Sequence, residues 1–129
     1  NESIASRGLE MNASAELNHE RALSDFGICK IYREVSMVGD FPLHEGDDVS
    51  ISYDHSVSGY RYTLYHQPVG ASDWLIAPGT VELQNSPKFV MTTSREHSGK
   101  YIVLVYKTSK KWGCLSASPE DSLQLKVLE

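Results

Sequence analysis

Two cysteines, five prolines and three phenylalanines are all that 129 residues contain of those types. No apolar run approaches the roughly 18–20 residues needed to cross a bilayer, so membrane attachment is expected only through segments outside this chain. No charged and apolar leader precedes Asn1, so an exported protein would be represented here by its processed form. The net charge is −5, which excludes the broad basic surface that nucleic acid requires. The closest approach to a basic cluster is Lys107, Lys110 and Lys111, read as a solvated loop.

Catalytic constellations are also missing. Five histidines, at 19, 44, 55, 66 and 97, include no pair at metal-ligand spacing, and no H-x-H, C-x-x-C or H-E-x-x-H occurs. There is no G-x-S-x-G nucleophile elbow and no glycine-rich phosphate cradle. Asp40, Asp47, Asp48 and Asp54 fall at turns and strand ends without the spacing of an EF-hand loop. No enzyme, metal or cofactor is expected.

The compartment signals are Cys29 and Cys114, with the glycosylation sequons Asn1-Glu2-Ser3 and Asn12-Ala13-Ser14. An even cysteine count and two sequons within fourteen residues point to an extracellular glycoprotein.

Residues 1–28 are rich in Ala, Ser, Glu and Asn, and Asn12 to Phe26 has helical composition with its apolar groups loosely on one face. Two readings stay open for this N-terminal arm: a linker, or a helix that docks on the rest of the chain or on a partner. From Cys29 to Glu129 the pattern changes to short β-rich runs separated by Gly, Pro, Ser and Asp, as in a sandwich or barrel. Strands are predicted at Lys30–Val35, Asp48–Asp54, Tyr60–His66, Trp74–Ala77, Lys88–Thr93, Lys100–Lys107 and Leu123–Leu128, with a short edge strand at Val81–Leu83. Alternation turns Val49, Ile51 and Tyr53 inward, together with Tyr60, Tyr62 and Leu64, with Tyr101, Val103 and Val105, and with Leu123, Leu125 and Val127.

Three phrases carry a family likeness. The run His97-Ser98-Gly99-Lys100-Tyr101-Ile102-Val103 resembles the D-x-G-x-Y-x-C that leads into the sixth strand of immunoglobulin-superfamily domains, with Tyr101 at the corner tyrosine. Glu45-Gly46-Asp47-Asp48-Val49-Ser50-Ile51-Ser52-Tyr53 is similar to that family's second-strand phrase, with Tyr53 at the first Cys position. Leu64-Tyr65-His66 stands where the family keeps its core Trp. The resemblance covers about residues 40 to 129. It implies an all-β, immunoglobulin-like two-sheet antiparallel sandwich in which Tyr53, Leu64 and Val103 replace the central disulfide and Trp by packing.

The same resemblance implies that Cys29, just before the first strand, lies near the Thr108–Asp121 loop that holds Cys114. A bridge between them closes 84 intervening residues (30 to 113), worth about 4–5 kcal/mol by chain entropy. Two unpaired thiols are the alternative.

As for function, the resemblance implies a non-catalytic recognition or adhesion domain of a cell-surface or secreted receptor, binding a protein partner or a like domain. Its docking face would be the sheet that presents Arg61, Thr63 and Tyr65 beside Ile102, Leu104 and Tyr106, with Trp112 as a second contact. Cover of that face by Leu17, Leu23 and Phe26 of the same chain remains the alternative, and Trp112 equally suits packing on a disulfide. On the docking reading, Leu104→Asp abolishes binding and spares the fold; loss of the fold places Leu104 in a core. Asp73-Trp74, Gly99-Lys100-Tyr101 and Gly113 to Pro119 are also similar to cytosolic SKICH adaptor modules, where both thiols would stay reduced. An accessory sandwich of a larger enzyme is a third reading.

Overall fold

The computed structural model describes residues 26–29, 35–54 and 57–129. Its strands in chain order are β1 (Gly27–Ile28), β2 (Val35–Gly39), β3 (Leu43–His44), β4 (Asp48–Tyr53), β5 (Tyr60–Pro68) and β6 (Leu75–Ile76). They continue with β7 (Lys88–Thr92), β8 (Gly99–Lys107), β9 (Trp112–Leu115), β10 (Leu123–Leu125) and β11 (Val127–Leu128). Single 3-10 turns at Arg95–His97 and Pro119–Asp121 are the helical pieces among the described residues.

The chain is an all-β sandwich. One layer is the antiparallel sheet β2-β4-β7; the other is six-stranded, in the order β1-β9-β8-β5-β6 with β10 also on β8. A short parallel ladder, β3 with β11, joins Leu43 to Val127 at one end. The chain reaches β3 from β2 through a cis Phe41–Pro42 peptide.

Period-two patterning builds the interior. On β4, Val49, Ile51 and Tyr53 are buried, and on β7 Phe89 and Met91 lie opposite Ile51 and Val49. The facing sheet contributes Tyr62 and Leu64 from β5 and Tyr101, Val103 and Val105 from β8, paired in register. Each such side chain contributes roughly 1.5–3 kcal/mol by leaving water. Tyr53, Leu64 and Val103 share this one core, so the centre is held by packing.

Several strands differ from the sequence expectation. Apart from Val35, the strand expected at Lys30–Val35 lies outside the described residues, and Val35–Gly39 forms β2. Gly27–Ile28, counted with the arm, is a strand held by parallel pairing to β9. The expected Thr108–Asp121 loop contains β9, because Gly113 is a strand residue here and not a turn. A Cβ at Gly113 would meet Val105 O at 3.0 Å and the Leu104 and Tyr106 side chains at 3.1 Å, so its absence lets both pack across β9. Val81–Leu83 forms no strand; a single antiparallel bridge joins Gln84 to Tyr62. The C-terminal strand divides at Lys126 into β10 and β11. Residues 12–25 of the expected helix, the Asn1 and Asn12 sequons, and Leu17 and Leu23 lie outside the described residues.

Candidate recognition surfaces

Outward from the six-stranded sheet, β5 and β8 set side chains in matched rows: Arg61 with Tyr106, Thr63 with Leu104, Tyr65 with Ile102 and Gln67 with Lys100. The shared outer face expected from alternation is thus found. The exposure expected of it is not: Tyr65, Ile102, Leu104 and Tyr106 are each at most 1% exposed. They form a second apolar cluster with Trp74 and Leu115, flanked by Phe26, Ile76 and Leu83.

The cover has a local cause. Leu83 stands at φ 54°, a left-handed conformation that swings its side chain onto the cluster. That backbone is anchored by the Leu83 N–H donating to the Thr63 hydroxyl at 2.8 Å and by reciprocal Tyr62–Gln84 backbone bonds, both 2.8 Å. Thr63, buried among apolar neighbours, therefore serves as the acceptor that fixes the cover. Burial, with the nearby Glu82 charge adding to it, pushes the Tyr65 phenol well above its ordinary range. Phe26 packs where one open alternative had placed it.

Arg61 is exposed at the open end of this face. Trp112 is half exposed, but its partner across the ladder is Lys107. Since Gly113 pairs with outward Tyr106, Trp112 takes the opposite face, in a row with Lys107 and Tyr60. There the Lys107 ammonium sits 5.3 Å from the Tyr60 ring centroid. Of the six residues expected to contact a partner, Tyr65, Ile102, Leu104 and Tyr106 are therefore buried, Arg61 is exposed at the rim of their face, and Trp112, the expected second contact, lies on the reverse side. Trp112 is not packed into the disulfide-side core, which takes Cys114 from the neighbouring position.

Cys29 and Cys114 are joined in a disulfide with Cα atoms 4.8 Å apart. The pairing follows from β1 beside β9, where Gly27 lies opposite Cys114 and the Cys29 N–H donates to Leu115 O at 2.9 Å. It lies on the core side of the sheet, where Cys29 is buried.

The opposite end is a polar corner. The Tyr101 hydroxyl donates to the His97 carbonyl, four residues back, and burial drives its phenol pKa strongly upward. His66 stacks on Tyr101 at 4.6 Å between ring centroids, and its Nε2 reaches Ser98 O at 3.0 Å. Since that carbonyl only accepts, Nε2 carries the proton. Burial lowers the His66 pKa below its ordinary value, against the Ser98 carbonyl, which favours the cation. At His97 the Ser94 N–H donates to Nδ1 at 3.0 Å while Nε2 faces Pro78 O at 3.2 Å, which fixes the Nε2–H tautomer. Gly99 has φ 141°, and a Cβ there would lie 2.2 Å from Gln67 O, so glycine is required.

Beside this corner lies a partly open concavity of about 740 Å³, lined by Gln67–Ala71, Ser98–Lys100, Gln124–Val127 and Arg95. Nothing in the sequence reading pointed to it, because its residues come from four separate stretches. No group of His, Cys, Asp or Glu among the described residues could hold a metal ion. No helix among them is long and apolar enough to cross a membrane. The chain matches no protein-family model and no curated protein.

Proposed function

We propose that this chain is an extracellular, immunoglobulin-like recognition domain that binds a protein partner and catalyses nothing. The observation that carries the reading is the corner at Tyr101. A buried tyrosine hydroxyl on the carbonyl four residues back, next to an obligatory glycine, is the corner of that family's sixth strand. It sits in a two-layer sandwich with Tyr53, Leu64 and Val103 packed together at the centre. The Cys29–Cys114 bridge adds a preference for an oxidising compartment and weighs against the cytosolic SKICH-like reading.

In this proposal the buried Tyr65, Ile102, Leu104 and Tyr106 are the foundation of the recognition sheet. Contact then falls to exposed groups on the two sides of that sheet, Arg61 at the rim of the outer face and Trp112 on the reverse, both of residue types that dominate protein interfaces. The test is a multimerised, secreted form of the domain applied to intact cells before and after surface proteolysis, with sedimentation of the free domain to detect self-association. Protease-sensitive staining or concentration-dependent dimers, either weakened by Arg61→Ala or Trp112→Ala, support the proposal. Retention inside the producing cell with both thiols free overturns it.

A further inference from the structure

The concavity at the Gly99 end gathers Arg95, Lys100 and Lys126, three of the twelve Lys and Arg residues, and no carboxylate among the described residues lines it. The chain as a whole carries −5, so this collection runs against the general field. Arg95 is paired to Glu129 at 2.7 Å. Lys100 and Lys126 have no carboxylate partner among the described residues. Two ammonium groups in one concavity with no carboxylate partner among the described residues favour an anion there, since the walls shut out part of the screening water.

The remaining lining groups are neutral donors and acceptors. Gln67, Lys100 and Gln124 stand side by side across three adjacent strands, in register through β5–β8 and β8–β10. The Gln67 amide nitrogen already donates to Ser72 O at 3.1 Å, which leaves its carbonyl oxygen as an oriented acceptor. The Ser98 hydroxyl oxygen accepts the Val127 N–H at 2.9 Å, which leaves its proton to donate. Pro68, Val69, Leu125 and Val127 supply apolar wall.

We infer that this concavity binds an anionic saccharide, with Lys100 and Lys126 on its sulfate or carboxylate and Gln67, Ser98 and Gln124 on its hydroxyls. A polyhydroxylated ring presents donors and acceptors together with apolar C–H faces, which is the mixture that lines this site. The volume is within the roughly 300–1,000 Å³ typical of small-ligand sites. An acidic peptide would satisfy the cations but leave the alternating amide and hydroxyl groups without matched partners. The inference rests on the extracellular reading only for where such a glycan is met; its test does not depend on secretion.

The experiment is an NMR titration of the isotope-labelled, disulfide-bonded chain with a heparin-derived tetrasaccharide, 3′-sialyllactose, neutral lactose and a hexaglutamate peptide. The expected result is saturable shifts at Ser98, Lys100 and Gln124 with one of the two anionic sugars, and none with lactose. Binding of 3′-sialyllactose shows that a carboxylate is sufficient, whereas binding of the heparin fragment alone, which carries sulfates beside its uronate carboxylates, shows that sulfate is needed. Lys100→Gln with Lys126→Gln should weaken that binding by about tenfold or more, whereas Lys107→Gln with Lys110→Gln at the far end of β8 leaves it unchanged. Lys126→Gln alone, at an exposed position, repeats the test if the double variant fails to fold. Absence of binding by both sugars, indifference to the Lys100 and Lys126 changes, or equal binding of hexaglutamate overturns the inference.

Discussion

Leu104→Ala measures whether the outer face of the six-stranded sheet is a core or a free surface. Leu104 is 0% exposed, opposite Thr63 on one side and Leu115 on the other, with Tyr65, Ile102 and Tyr106 in the same cluster. Truncating a leucine so enclosed removes its transfer energy and leaves a cavity, a loss of 2–5 kcal/mol in well-packed interiors. Leu83 at the margin is only partly buried and has room to move inward. The expected loss is therefore about 3 kcal/mol, near the lower half of that range. Urea unfolding of the disulfide-bonded protein, with an unchanged m-value, reads it directly. Val90→Ala is the control: on the outside of β7 and 62% exposed, it should change stability by no more than about 0.5 kcal/mol. Leu104→Asp goes further, because it strands a carboxylate in an apolar cluster, and the fold rather than a partner is what it should abolish. A loss below about 1 kcal/mol for Leu104→Ala would refute the reasoning, since a surface leucine gives that value. It would mean that the cover by Leu83 and Phe26 is absent in solution and that the face is free to dock.

The remaining predictions concern the two ends of the sandwich. Gly99→Ala meets both a left-handed φ and an obstruction at 2.2 Å from backbone oxygen, so it should cost upwards of about 3 kcal/mol in melting or urea experiments. Replacing Cys29 and Cys114 together by Ala removes a cross-link spanning 85 positions and should cost about 4.5 kcal/mol, visible as a lower urea midpoint. His66 is held below its ordinary pKa of 6.5 by burial, so the unfolded chain takes up its proton first. Its share of stability is complete above pH 6.5 and is lost as pH falls towards the native value. Unfolding midpoints between pH 7.5 and 5 should therefore decline, and His66→Gln should flatten that decline.

Much of the sandwich is legible because period-two patterning is strong in its long antiparallel strands, β4, β5 and β8. Val49, Ile51 and Tyr53, and Tyr101, Val103 and Val105, face inward as their alternation requires. Alternation fixes which face a residue takes but not whether that face meets water. The outer row of Tyr65, Ile102, Leu104 and Tyr106 is covered by a segment whose decisive feature, Leu83 at positive φ with its N–H on Thr63, has no sequence signature. Gly113 falls within the expected Thr108–Asp121 loop, and only its contacts with Leu104 and Tyr106 explain a glycine in β9. Without β9, Trp112 falls in the Thr108–Asp121 loop as a second contact, and its position on the reverse side follows from register alone. The cation-lined concavity needed the fold, since strand pairing sets Gln67 beside Lys100 while Arg95 comes from a 3-10 turn and Lys126 from the break between β10 and β11.

The most direct test of an extracellular, disulfide-closed recognition domain is the intact mass of the chain secreted from eukaryotic cells, taken with and without reductant in the presence of a thiol-alkylating agent. The account predicts no alkylation without reductant, a gain of about two mass units on reduction alone, and alkylation at both Cys29 and Cys114 after it. Two alkylated thiols in the untreated protein would contradict it.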